Sequence, residues 1–456
     1  MIRRVLILSF VLCLVTNCAP APPSPSTANV NTAPSPSPTA SPETQATATG
    51  TTPITLPLLD ALLTDEKFVD QLRSKLKLSN EQIESLKSAS KEEIGRLRQA
   101  NAEDLDGNGN AGDARTRAEQ KLNQILGDQK ARELASLTSE YWSKGDPSEA
   151  AADKGPTAEM LKGPNAVPTD TRVVVNIPAF RMDVFQDGSL VKSYKIGIGY
   201  PDFPLPQGLR RANSIIFNPT WTPPDSPWVA DMKNVTAGET VPAGDKNNPL
   251  GPIKIPIGLP SLIHGGKSPA KLGKFASHGC VGLTNAQVKD FTLLLARASN
   301  TDLSEKTIAT HLEDKERTQT VKLNQSLPVE LRYETIVLED GKLHIYKDVY
   351  AQDTNTEENL RSVLQAQGVR FEDLSEQQRT EVLNALNAMS TNPQAAASAS
   401  PSPSPSPDKK AQRKKTPAKN TNEMVVDLSS LTQKGYPAPV NFDTGSGKTA
   451  ATNKRG

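Results

Sequence analysis

Thiols and imidazoles are scarce in this sequence, which holds three cysteines and four histidines in 456 residues. Cys13 falls inside an N-terminal apolar run and Cys18 follows it, so Cys280 stands alone in the rest of the chain and has no disulfide partner there. Charge of one sign is also missing. The formal net charge of +1 gives no global field to recruit nucleic acid or acidic substrates. Long hydrophobic runs are absent from the N-terminus as well: Val5 to Val15 is too short for a comfortable membrane span.

What the sequence has in quantity is proline, 37 of them, concentrated with Ser, Thr and Ala. The folded part is therefore smaller than the length suggests. Arg3 and Arg4 ahead of the short apolar run have the form of an export signal. "LVTNC", ending at Cys18, resembles a lipoprotein signal, whose cysteine is lipidated and becomes the mature N-terminus; Asn17 departs from the usual Gly, Ala or Ser. Two readings stay open, lipidation at Cys18 or ordinary cleavage near Ala19 to Ala21. Both place the protein outside the cytoplasm, in the periplasm or cell envelope, with a membrane anchor if Cys18 is processed as a lipoprotein. The Pro/Ser/Thr stretch that follows has too little apolar surface to offset the entropy of ordering and reads as an extended tether.

From residue 58 the character changes. Leu78, Ile83, Leu86, Ile94 and Leu97 approximate a helical stripe, and Ser79 with Gln82 has capping-box spacing. A second helix is expected from about Ala114 to Trp142. Between them, Asp104, Asp106, Asn108 and Gly109 begin like a calcium loop, but Arg115 stands where a bidentate Glu belongs, which favours a Gly/Asn-rich turn. Ser375 with Gln378 repeats the capping spacing near the other end of the chain. Residues 171 to 350 carry short β-type runs, with Asp187-Gly188 and Asp340-Gly341 as hairpin turns. A helix is expected over Asn285 to Ala298. Beyond Met389 order is expected to fail, and from Asp408 onward ten Lys/Arg face four Asp/Glu.

The expected organisation is a signal peptide over 1–18, a disordered linker over 19–57, a helical domain over 58–145 and a catalytic domain over 171–313. A trailing β segment over 314–352, a helical segment over 355–390 and a disordered basic tail over 391–456 complete it. The fold class is a mainly β domain, a sandwich or barrel with a helix after the cysteine, plus a small all-α N-terminal domain and disordered Pro/Ser-rich segments.

Cysteine catalysis needs a thiolate, a base in reach, and donors aimed at the oxygen that becomes negative. "SHGC" can supply nucleophile and donors: Gly279 lets the backbone bend, so the amides of Gly279 and Cys280 can point at one oxyanion, while His278 helps to polarise the thiol or carbonyl. "LIHGG" places His264 beside glycines, with twelve residues between it and Ser277. Half of all the histidines thus lie within sixteen residues of Cys280.

"IHGG", twelve residues, and then "SHGCVGLTN" resembles the active-site signature of the L,D-transpeptidases, the YkuD-like catalytic domain. The resemblance extends over about 180 of the 456 residues, from "VVVNIPAFRMDVFQDG" through "NPTWTPP" and "NPLGP". It implies a β-rich domain acting on peptidoglycan stem peptides without metal, cofactor or nucleic acid. In that family's terms Cys280 is the nucleophile, expelling a terminal D-alanine before an amine intercepts the acyl-enzyme in a 3→3 crosslink. His264 corresponds to the base, oriented through a main-chain carbonyl such as that of Gly265. His278 and Gly279 belong to the oxyanion stretch, and Gly265, Ser277 and Asn285 to the substrate-binding set. The same acyl-enzyme passed to water makes an L,D-carboxypeptidase, and passed to a lysine it attaches a wall-linked lipoprotein. A non-catalytic wall-binding protein is the alternative of another class. Two departures stand out: most members carry Arg where this chain has Gly282, and many carry Thr where it has Gly266. The first leads us to expect altered donor recognition.

Overall fold

A computed structural model describes residues 54–99, 111–144, 158–224, 229, 232–258, 261–390, 422–428, 431 and 435–446. The expected signal peptide, lipidated cysteine, most of the linker and the body of the calcium-like loop lie outside these residues.

Five helices come first: α1 (Leu56–Leu63), α2 (Glu66–Ser74), α3 (Asn80–Gln99), α4 (Ala111–Leu126) and α5 (Asp128–Lys144). Side-chain oxygens at their starts accept otherwise orphaned amides, Thr55 from Leu58 at 3.3 Å and Asp65 from Lys67 at 3.0 Å. Ser79 and Gln82 form the expected reciprocal box, at 3.2 and 3.1 Å. The single helix expected from Ala114 to Trp142 is in fact two. Gly127 takes a φ of +77° between them, a left-handed position that ends a helix at little cost only when it is glycine. Leu59, Phe68, Leu72, Ile83, Leu86, Ala118, Leu134 and Trp142 share one apolar core.

The second body is mainly β. Its strands are β1 (Arg172–Asn176), β2 (Arg181–Gln186), β3 (Ser189–Lys195), β4 (Ile198–Gly199), β5 (Gly208–Phe217), β6 (Ile253–Pro256), β7 (Leu262–His264), β8 (Phe275–Ser277) and β9 (Val281–Gly282). Helices α6 (Asn285–Ala298) and α7 (Glu305–Glu313) follow, then β10 (Gln319–Arg332). Eight strands form one sheet in the order β3-β2-β1-β10-β5-β6-β7-β9, and β4 pairs with β8. Most neighbours are antiparallel, but β1 with β10 and β7 with β9 run parallel. The hairpin turn at Asp187-Gly188 has the positive φ pair of +49° and +78° that suits strand twist.

Strand β10 departs from the expected organisation. The sequence reading sets residues 314–352 behind the catalytic domain, yet β10 lies near the middle of the sheet, between β1 and β5. Its second half is buried at every position, Ser326 to Arg332, as a strand covered on both faces must be. Val288, Phe291 and Leu295 of α6 share one apolar core with β-strand residues such as Val173, Ile215, Ile255 and Val329.

A smaller sheet joins β11 (Ile336–Glu339), β12 (Lys342–Tyr346) and β13 (Glu423–Asp427), packed with α8 (Glu357–Ala366) and α9 (Glu376–Met389). Here the expected disordered tail over 391–456 is corrected in part. Residues 423–427 pair with β12, and the Val440 and Asp443 carbonyls accept from the Ser193 and Lys195 amides of β3 at 2.9 Å each. Two exposed sheet edges are thereby covered.

Candidate active site

Strand β8 ends at Ser277 and β9 begins at Val281, so the intervening His278, Gly279 and Cys280 form the bend between them. Gly279 has a φ of +94°, a backbone that L side chains rarely adopt. Ser277 closes the bend: its hydroxyl accepts from the Cys280 amide at 3.1 Å and donates to the Cys280 carbonyl. This corrects the expectation that the Gly279 and Cys280 amides both face an oxyanion. The Cys280 N–H is engaged within the bend, which leaves the Gly279 amide, without a hydrogen bond among the described residues. The Gly279 carbonyl accepts from Ser261 at 2.8 Å.

His278 does not stand over open space. Its ring packs against Tyr200 and Phe203, with centroids 5.1 and 4.8 Å apart. Burial, and after it the Lys267 charge, push its pKa down to about 3. Tyr200 is itself tied to β8 through its amide and the Ser277 carbonyl at 2.8 Å. The segment carrying these rings is held from behind by the helical body: Thr55 donates to the Asp202 carbonyl at 2.7 Å, and Arg117 meets the Asp202 carboxylate at 3.5 Å.

His264 ends β7, and its neighbours come from the sheet register. Ile263 pairs with Val281 and His264 with Gly282. The pairing sets His264 beside Gly282, two residues after Cys280. The His264 Nδ1 lies 2.7 Å from the Gly265 carbonyl. A carbonyl only accepts, so Nδ1 carries the proton and Nε2 keeps its lone pair. The imidazole is almost fully buried, at 3% exposure. Burial first, then Lys267 and Lys254, outweigh the carbonyls of Gly265 and Leu250 and push its pKa down to about 3. Held neutral down to about pH 3, the ring keeps Nε2 unprotonated at neutral pH.

The turn after His264 is built from close approaches. Gly266 has a φ of +83°, and a Cβ there would lie 2.5 Å from the Pro249 carbonyl oxygen. A side chain at position 266 would thus collide with this chain's own "NPLGP" turn. Asn285, the first residue of α6, accepts from the Gly266 amide at 2.7 Å. Thr284 and Gln287 cap the same helix reciprocally at 3.1 and 3.0 Å. The three residues expected to bind substrate thus hold the site's framework here: Ser277 holds Cys280, Asn285 holds the glycine turn and Gly265 holds the imidazole.

Cys280 is a half-buried free thiol. Burial raises its pKa, opposed by the Leu262 amide, Lys267 and Lys254 in that order. Sequence reasoning missed the two lysines and the Tyr200–Phe203 wall. A signal existed for the lysines: Lys267 directly follows the glycine pair, and Lys254 occupies a half-exposed position in the alternation of β6. Among the described residues, no cluster of three or more His, Cys, Asp or Glu can hold a metal ion.

Residues 170–300 match the family model of the L,D-transpeptidase catalytic domain, YkuD. The chain is similar to the solved catalytic domain of an L,D-transpeptidase from E. faecium, at 16% identity and a TM-score of 0.23, over 36% of this chain and 99% of that one. It is also similar to an L,D-transpeptidase from Mycobacterium smegmatis, at 15% identity and a TM-score of 0.21, over 36% of this chain and 58% of that one. For an L,D-transpeptidase from Mycobacterium tuberculosis H37Rv the identity is 14%, the TM-score 0.21 and the coverage 36% and 57%. Against the Ldtfm–avibactam carbamoyl enzyme the match covers 48% of that chain; the chain spans about half the length of several of these solved proteins. No curated protein matches it. The match to the catalytic-domain model is thus confined to residues 170–300 of the chain.

Proposed function

We propose that this protein is a peptidoglycan L,D-transpeptidase with Cys280 as nucleophile and His264 as base. The observation that supports the reading is the parallel pairing of β7 with β9, which sets His264 beside Gly282, two residues after Cys280, with the ring tautomer fixed by Gly265. The neutral imidazole takes the thiol proton as sulfur attacks the carbonyl of the third residue of a tetrapeptide stem. The Gly279 amide is the candidate donor to the oxyanion. The peptide bond to D-alanine then breaks, and the imidazolium returns its proton to the departing amine. An amine from a second stem attacks the thioester, forming the crosslink and regenerating the thiol. Metal and cofactor have no part in these steps.

The test is incubation of the full chain with a disaccharide-tetrapeptide, followed by mass spectrometry. A crosslinked dimer that has lost one D-alanine supports transfer. A tripeptide supports the carboxypeptidase reading, and transfer to a lysine-bearing lipoprotein the third use of the same acyl-enzyme. Absence of any turnover favours a wall-binding role. The N-terminal sequence supports export to the cell envelope, with Cys18 as the lipid attachment point.

A further inference from the structure

Lys254, His264 and Gly282 stand side by side across three adjacent strands, since Lys254 pairs with His264 and His264 with Gly282. Paired residues project to the same face of a sheet. The imidazole therefore has a lysine on one side and a residue without a side chain on the other. That second space is filled from elsewhere. A Cβ on Gly282 would come within 2.8 Å of Lys267 Cγ and 2.9 Å of its Cε, so the Lys267 stem lies where a residue-282 side chain would begin. The Lys267 backbone is fixed for this by its amide, which donates to the Leu283 carbonyl at 3.0 Å.

Neither lysine has a carboxylate partner among the described residues; the opposite charge that draws on both is that of Cys280. The other titratable groups facing the site are His264 and His278, both neutral near pH 7, and Lys271, which bears on Lys267. Apart from the Leu262 amide, the two ammonium groups are what opposes the burial that keeps the thiol protonated.

We propose that Lys267 is a positioning residue for the nucleophile: it delivers, from the turn after β7, the cation that β9 lacks at Gly282, and with Lys254 it brings the Cys280 thiolate within reach. The proposal rests on Cys280 being the nucleophile. Burial lowers the pKa of both lysines, and the Cys280 charge opposes it in each, so thiolate and ammonium stabilise each other.

The experiment is alkylation of Cys280 by iodoacetamide across a pH series in the full chain, with the Cys280 peptide followed by mass spectrometry. Lys267→Met moves the midpoint upward by about one pH unit, and alkylation below it slows about tenfold. The double variant Lys267→Ala/Gly282→Arg returns the midpoint toward the wild-type value relative to Lys267→Ala alone. An unmoved midpoint in Lys267→Met overturns the proposal, as does a double variant no better than Lys267→Ala. Because the readout needs no stem peptide, a displaced midpoint in a protein that does not turn over stem peptides supports this proposal while the transpeptidase reading fails.

Discussion

At the scale of single residues, the site depends on which atoms are already spoken for. Ser277 engages both backbone polar groups of Cys280, and Gly265 fixes the His264 tautomer. What remains for chemistry is a sulfur, an unprotonated ring nitrogen and the Gly279 amide. Cys280→Ala is therefore expected to abolish product formation from the disaccharide-tetrapeptide. His264→Ala is expected to slow acylation by about 10²–10⁴-fold, the usual worth of a general base. Burst-phase mass spectrometry of the acyl-enzyme reads both, and full acylation without His264 would remove it from the mechanism. The sequence picks out Cys280 and His264 as candidates because a lone thiol near glycine-flanked histidines is a chemical pattern. The engagement of the Cys280 amide was not legible there, because it depends on where a neighbouring hydroxyl points.

At the scale of elements, the segment near the C-terminus shows how a strand escapes sequence reading. Glu423–Asp427 follows a Pro/Ser and Lys-rich stretch and has only a short apolar run, Met424 to Val426, of which Val426 alone is buried while Val425 is exposed. Its order comes from the edge of β12, which offers a ready backbone ladder. Farther on, Tyr436 is buried against Phe185 and under Arg181 and Arg332, whose guanidinium carbons lie 5.4 and 5.9 Å from its ring centre. Its hydroxyl donates to Asp183 at 3.1 Å. Tyr436→Ala is expected to lower stability by about 3 kcal/mol, as large-to-small changes at buried aromatic positions do. Urea denaturation checks this, and an unchanged midpoint would show that the segment contributes nothing to the fold. The β hairpins were readable beforehand because Asp-Gly turns act within a few residues of themselves.

At the scale of the whole molecule, the buried His264 and the half-buried His278 link acid stability to the architecture of the site. Both are pushed down to about 3 from an ordinary 6.5. Below pH 6.5 the unfolded chain binds protons that the native state refuses, so these groups cost stability as pH falls toward 3, at up to about 1.4 kcal/mol per pH unit each. Asp202 and Glu339, which are buried, and the half-buried Glu334 are raised by burial and act in the opposite sense as they protonate. A difference measurement isolates the histidine: His278→Phe, which keeps ring packing on Tyr200 and Phe203, is expected to show a shallower loss of Tm below pH 6.5 than the wild type. Parallel curves would show that His278 is not held neutral. The proposed anchoring of the molecule is tested by Cys18→Ser, expected to move the protein from the membrane fraction to the soluble one; an unchanged distribution would favour simple secretion.

The sequence by itself determined the local devices: capped helices, glycine turns, the mainly β composition of the central block, and the thiol and imidazole available for catalysis. These are settled by interactions between residues close along the chain, where side-chain chemistry and backbone freedom suffice. Only the tertiary structure decided that β10 belongs near the middle of the sheet, that residues 423–427 complete another, and that Lys267 fills the space at Gly282. Each of these joins segments distant in sequence, and strand pairing and side-chain reach across such distances are fixed by the packing of the whole, which no local pattern records.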